Sequence, residues 1–207
     1  MDWISVITII ATTVVTFFVG RLLARVKGGA GEMVVSRRLR RLPEEEYRVF
    51  DNVILPTHRG SSQIDHLVVS VYGIFVIETK NYKGWLYGGE KSEYWTQNIY
   101  GQKYKLYNPI FQNAGHIRAL RRVLADYQDL PVYSIVAFSG RADVKVKAKA
   151  AYLVYWSGLR RLIKSFTERQ LDSGQVDSIS NTIRSVQLEP SKEVKKQHLQ
   201  NVRKAKR

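Results

Sequence analysis

From Trp3 to Val19 the chain runs without a break through apolar, Thr and Ser residues, and Gly20, Leu22, Leu23, Ala24 and Val26 prolong the run past Arg21. About 20 residues of helix cross a bilayer core, so Trp3 to roughly Leu23 predicts one transmembrane helix in which Arg21 snorkels. Trp3 would sit at one interface, with only Asp2 beyond it, and Arg21, Arg25 and Lys27 at the other. That bias puts the C-terminal part in the cytoplasm, behind a single-pass anchor in the cell membrane. Two alternatives stay open. A cleaved signal peptide would need a basic start that Met1-Asp2-Trp3 lacks, and Gly28-Gly29-Ala30 is only a weak cleavage site. A buried core helix would also be this apolar.

Gly28-Gly29-Ala30-Gly31 reads as a short flexible break before the soluble part. Glu32 to Leu42 then predicts a helix with Met33, Val34, Leu39 and Leu42 as apolar positions, stopped by Pro43. Tyr47–Leu55 is a strand ended by Pro56, and His58–Ser62 a turn. Gln63–Val71 and Ile74–Lys80 are Ile- and Val-rich strands joined near Tyr72-Gly73. Trp85–Tyr87 and Tyr94–Asn98 are short edge strands. Pro109 opens a helix to about Tyr127, with Ile110, Ile117, Leu120, Val123 and Leu124 on one face. Val132–Phe138 and Ala151–Trp156 are strands, Leu159–Phe166 and Val176–Val186 helices. Ser191–Arg207 is a basic, polar end. There is no internal repeat. The order predicts an α/β, three-layer architecture around a mixed central sheet, preceded by one N-terminal transmembrane helix. The divisions are an anchor with its basic flank (1–27), a core (28–138), a strand and helices completing it (139–190), and a basic tail (191–207).

Composition adds two constraints. The 207 residues include no cysteine, which excludes a disulfide framework, a thiolate zinc site and a cysteine nucleophile. The net charge is +15, gathered at Arg21–Lys27, Arg37–Arg41, Arg118–Arg122, Lys145–Lys149 and Lys192–Arg207. Such a surplus points to a polyanion, either nucleic acid or an anionic membrane surface. No phosphate-cradling loop and no Gly-x-Ser-x-Gly elbow occurs.

The candidate chemistry lies in Asp65 and in Glu78-Thr79-Lys80. Alternation along a strand puts Glu78 and Lys80 on one face. If the intervening turn centres between Val71 and Tyr72, Asp65 lies opposite Glu78; one residue later, it lies opposite Lys80. Two carboxylates and a lysine suit metal-dependent phosphodiester hydrolysis. Mg²⁺ takes oxygen ligands and keeps waters, so one or two carboxylates suffice, and the lysine offsets negative charge. A surface salt bridge between Glu78 and Lys80 is the alternative reading.

With these residues stand Gly31-Glu32, Gln63-Ile64-Asp65-His66, Gly73 through Asn81, Gly84-Trp85, Trp95, and Asn108 through Asn113 with His116. In these spaced segments, from about Gly28 to Phe138, the chain resembles the nuclease-related domain (NERD) family, a branch of the PD-(D/E)xK nucleases. Ile64 stands where the superfamily's name has Pro. The resemblance implies a restriction-endonuclease-like fold and a Mg²⁺-dependent (or Mn²⁺-dependent) DNA-processing activity. It makes Asp65 and Glu78 metal ligands and Lys80 the catalytic lysine. It adds Glu32 as a helix carboxylate, and Gln112 and His116 as a pair one helical turn apart. On the residues alone, Glu32 could equally serve the helix dipole, Gln112 and His116 could be surface residues, and His66 should pack in the core on the opposite side.

Tyr82–Tyr107 interleaves aromatics with Lys83, Lys91, Lys103 and Lys105, and Arg118, Arg121 and Arg122 share part of a helix. These are candidate nucleic-acid contacts; for the aromatics a hydrophobic cover over a sheet edge is the alternative, and for the arginines a solvated helix face. The expected function is a membrane-anchored nuclease acting on nucleic acid, DNA first. The alternative is a tethered, non-catalytic scaffold that binds nucleic acid or lipid on the same fold.

Overall fold

The computed structural model describes residues 3–58, 60–127 and 129–189. The chain runs α1 (Trp3–Leu39), β1 (Tyr47–Thr57), β2 (Gly60–Ser70), β3 (Gly73–Lys80), β4 (Gly84–Tyr87), β5 (Tyr94–Ile99), β6 (Gln102–Tyr107), α2 (Pro109–Val123), β7 (Val132–Phe138), β8 (Ala142–Val144), β9 (Tyr152–Tyr155), α3 (Leu159–Lys164) and α4 (Ser173–Val186). A five-stranded sheet has the order β1-β2-β3-β7-β9 and a four-stranded sheet the order β6-β5-β4-β8. In the larger sheet β1–β2–β3 is an antiparallel meander, while β7 and β9 add in parallel. The sheet is therefore mixed, and its parallel strands are joined by crossovers, the first carrying α2.

Both faces of the larger sheet are covered. Leu67, Val69, Ile74 and Val76 pack with Leu120 of α2 and Ile179 and Ile183 of α4. Val68, Phe75, Ile77 and Ile135 pack on the other face with Val35 and Leu39 of α1 and Leu159 and Ile163 of α3. This helix–sheet–helix layering is the expected α/β architecture and is consistent with a nuclease-like fold.

Several local expectations change. No flexible break occurs at residues 28–31, because α1 is helical from Trp3 to Leu39. Glycine in a helix costs only about 1 kcal/mol each, and no proline precedes Pro43. Gly31 moreover lets α1 lie close to the sheet's end, since a Cβ there would stand 3.0 Å from the Trp156 ring and 3.2 Å from the Asn81 side chain. The boundary expected at 27/28 thus falls inside a helix. The first strand does not end at Pro56. It continues to Thr57 and pairs back at once from Gly60, and as an edge strand it tolerates proline's missing N–H. Strands β6 and β8 had no sequence expectation.

Among the described residues no helix is long and apolar enough to cross a membrane. The side chains of Arg21, Arg25 and Lys27, expected at a membrane interface, lie outside the described residues, as do Asp2 and the basic end Ser191–Arg207.

Candidate active site

The β2–β3 ladder runs from Ser70↔Gly73 to His66↔Ile77. Its turn is centred between Val71 and Tyr72, which is the first of the two registers the sequence allowed, so Asp65 falls opposite Glu78. Counted back from Leu67 and Val69, simple alternation puts Asp65 on the face of Val76 and Glu78. Ile64 and Leu67, three apart, share a face, and so do Phe50 and Val53 on the paired strand. Alternation breaks once on each strand, where Asn52 adopts φ 56° beside Asp65. Asp65 accepts a hydrogen bond on Oδ2 from the Thr79 backbone N–H at 2.8 Å.

Glu78 and Lys80 lie on the α2 side of β3. The Lys80 Nζ donates to Glu78 Oε1 at 2.6 Å and to Gln112 Oε1 at 2.9 Å. Gln112 Nε2 donates to the same Glu78 oxygen at 2.7 Å. On the other oxygen, His116 Nε2 lies 3.1 Å from Glu78 Oε2. A carboxylate only accepts, so His116 Nε2–H donates to it, while Nδ1 lies 2.7 Å from the Ser62 hydroxyl. Gln112 and His116 are four apart on α2, one turn, so both reach the same carboxylate. Proline at the start of α2 and the Asn108 side chain, which accepts from Ile110 N–H at 2.9 Å, set where that helix begins. Asn113 fixes its height over the sheet by donating to Val76 O at 2.9 Å and to Ser134 Oγ at 2.9 Å.

The electrostatics divide the two carboxylates. Burial alone would raise Glu78, but Lys80 and His116 outweigh it and hold the carboxyl down at about 2. Burial works against a charged Lys80, yet Glu78, Tyr82 and Asp65 hold its ammonium well above the usual lysine range. Asp65 goes the opposite way. Burial, and then the Glu78 charge, push it well above the usual carboxylate range, with Glu32 of α1 adding to the push and Lys80 and the Thr79 N–H opposing it. Glu32 is thus near enough to be felt at Asp65. Among the described residues no three His, Cys, Asp or Glu side chains form a metal-ligand cluster. The donors fit a hard divalent cation all the same. Two neighbouring carboxylates, one raised by the other, gain when a positive charge sits between them, and an ion such as Mg²⁺ fills its shell with water.

The structure therefore joins Glu78, Lys80, Gln112 and His116 in one hydrogen-bonded network, with Asp65 held beside it on the Thr79 N–H. His116, given an accessory role from sequence, is buried and bonded. His66, expected in the core, is buried on the α1 side, with Nδ1 2.7 Å from Asp51 Oδ1. Arg118 and Arg121 stand on the opposite side of α2 from Gln112, and with Arg122 they are exposed and outside this network. Lys83, Lys103 and Lys105 are exposed on the smaller sheet and its approach. Sequence reasoning assigned no role to Ser62 or Asn113. Asn113, a polar residue between Ile110 and Ile117 on the packed side of α2, was the available signal.

The family model described as Nuclease-related domain (NERD) matches residues 27–139. An uncharacterised protein of Bacillus anthracis is 39% identical over 177 residues, which span 84% of this chain and 82% of that relative's length. No solved structure matches.

Proposed function

The chain belongs to the nuclease-related domain family, in the PD-(D/E)xK-like nuclease superfamily, and from that premise we propose that it is a membrane-anchored, divalent-metal-dependent hydrolase of nucleic-acid phosphodiester bonds. The observation that carries this reading is the Asp65–Glu78–Lys80 constellation, buttressed by Gln112 and His116. Asp65 and Glu78 would hold Mg²⁺ or Mn²⁺, which supplies Lewis-acid stabilisation of charge gathering on the phosphoryl oxygens. Lys80 is held as ammonium by Glu78, so it does not accept the water's proton. It donates hydrogen bonds that orient the attacking water and offset the added negative charge. Gln112 holds Lys80 and Glu78 at a fixed separation, His116 fixes the second Glu78 oxygen, and Glu32 adds negative charge on the Asp65 side. The basic surface holds the phosphate backbone, DNA first, with little sequence preference.

The anchor is the Trp3–Val19 run. Trp3, Ile7, Ile9, Ile10 and Val14 are exposed on α1 with the hydrophobic core elsewhere, as suits a segment solvated by lipid. The positive flank favours a cytoplasmic domain at the cell membrane.

One observation favours a non-catalytic scaffold instead: three side-chain donors already engage both Glu78 oxygens. Cleavage decides between the two. The full chain in detergent is incubated with labelled single- and double-stranded DNA and RNA in Mg²⁺, Mn²⁺ or EDTA, beside Asp65→Ala and Lys80→Ala. Metal-dependent cleavage lost in both variants supports the hydrolase. Salt-sensitive binding with no cleavage under any metal supports the scaffold.

A further inference from the structure

The smaller sheet has an inner and an outer face. Leu86, Trp95 and Leu106 point inward and pack on Val136 and Phe138 of β7, so part of the aromatic stretch is the cover over a sheet that its sequence suggested. The outer face differs. Register places Trp85 opposite Asn98 and Asn98 opposite Lys103, and Tyr87 opposite Thr96 and Thr96 opposite Lys105. Alternation then puts Trp85, Tyr87, Tyr94, Lys103, Lys105 and Tyr107 on one surface. Lys105 Nζ sits 3.7 Å from the centre of the Tyr94 ring.

At one end of this surface the β5–β6 hairpin closes through Tyr100 and Gly101, at φ 50° and 87°. Such a turn favours Asn-Gly, and a bulky aromatic in the left-handed region is costly. The Tyr100 ring is 99% exposed, so the fold gains no packing from it. Tyr100, Trp85 (52% exposed), Asn98, Lys83 and Arg141 line a cleft of about 540 Å³. The cleft adjoins the candidate active site along the chain. Arg141 donates to the Asn81 side chain at 2.6 Å, and Asn81 directly follows Lys80. The acid nearest by register, Asp143 opposite Trp85, is paired with Lys145 at 2.9 Å.

We propose that this outer face is a platform for an unpaired nucleic-acid strand, with Trp85 and Tyr100 stacking on bases and Lys83, Lys103, Lys105 and Arg141 meeting phosphates. The proposal rests on the nuclease reading and names a single strand as its substrate class. Exposed ring faces beside cations match unpaired bases beside phosphates; in a duplex the base faces are already stacked and only phosphates remain. The cleft at the end of the platform delivers the strand toward Lys80.

The test is binding without cleavage. Full-length protein in detergent and EDTA is titrated into fluorescein-labelled oligothymidine of about 12 nucleotides, and into a duplex of equal length. Trp85→Ala and Tyr100→Gly should each weaken single-strand binding roughly 5- to 100-fold and leave duplex binding unchanged. Trp85→Phe should restore most of the loss. Both residues are exposed, and glycine suits the φ of Tyr100, so thermal melting should confirm intact folding. Unchanged single-strand affinity in both variants, equal loss on single strand and duplex, or no single-strand binding by the wild type would each overturn the platform. The nuclease reading is judged separately, by Mg²⁺-dependent cleavage that Asp65→Ala abolishes.

Discussion

Glu78 has only 3% of its side chain exposed, and its carboxylate is matched to a lysine whose Nζ lies 2.6 Å away. Removing one partner strands the other. Lys80→Met should cost about 3 kcal/mol, the range for breaking a buried pair, and lower Tm by roughly 6–12 °C in EDTA. Glu78→Gln together with Lys80→Met should recover most of that loss, because two neutral groups need no counter-charge; thermal unfolding of the three proteins reads this directly. Asp65 predicts the opposite sign. Its folded pKa is raised, so its contribution is full below the usual value of 3.8 and is lost as pH climbs through the raised one. Glu78 contributes above its usual 4.5 and loses that contribution as pH falls through about 2. Asp65→Asn should therefore abolish cleavage yet raise Tm by about 2–4 °C at pH 8 in EDTA, and the gain should vanish by about pH 4. A Tm that falls at pH 8 would show that Asp65 is not strained by its neighbour's charge.

Among the elements, α1 has the largest role that sequence reading missed. Ser36 Oγ donates to Asp51 Oδ2 at 2.6 Å, Arg40 donates to the same oxygen at 2.8 Å, and His66 meets the other oxygen. Those hydrogen bonds outweigh the burial that would raise Asp51 and hold its carboxyl well below the usual range. They clasp α1 to β1 and β2, while Gly31 brings the helix close to Trp156 and sets the position of Glu32. Gly31→Val should force the helix away from a ring whose Nε1 is tied to Ala137 O at 3.1 Å. We expect a loss of about 1–3 kcal/mol in thermal unfolding and weaker cleavage at unchanged metal dependence. The meander β1–β3 and helix α2 were legible because long Ile- and Val-rich runs, the Tyr72-Gly73 turn and the Asn108-Pro109 start are local signals. β6 and β8 were not. The sequence of β6, Gln102–Tyr107, alternates lysine with aromatics and Leu rather than presenting a clean apolar face, and β8 spans only Ala142–Val144; both exist by pairing with a neighbour.

At the scale of the molecule, the positive charge is not spread evenly. Besides the aromatic cleft, Arg38, Arg41, Arg160, Arg161 and Lys164 surround a cleft of about 520 Å³ between α1 and α3, and none of the five is ion-paired among the described residues. If α1 anchors the protein, its continuity matters, because Gly31, where the helix meets Trp156, lies 10 residues beyond Arg21. At 1.5 Å per residue that is about 15 Å of helix, a spacer that holds the domain off the lipid surface. The full chain should pellet with membranes, resist extraction by high salt and alkaline carbonate, and dissolve in detergent. Replacing Ile7, Ile10 and Val14 with Asn should release it into the supernatant; unchanged fractionation would remove the anchor from the proposal.

The amino-acid sequence by itself determined the apolar run, the alternating strands, the excess of positive charge and the order of motifs that marks the family. All of these are local or additive properties, readable one segment at a time. The tertiary structure decided what depends on segments meeting. It chose the β2–β3 register that sets Asp65 opposite Glu78, closed Glu78 between Lys80, Gln112 and His116, carried α1 unbroken to the sheet, and sorted the aromatics into an inner core and an outer face. Those outcomes follow from pairing, packing and charge between residues far apart in the chain, and no single stretch of sequence contains them.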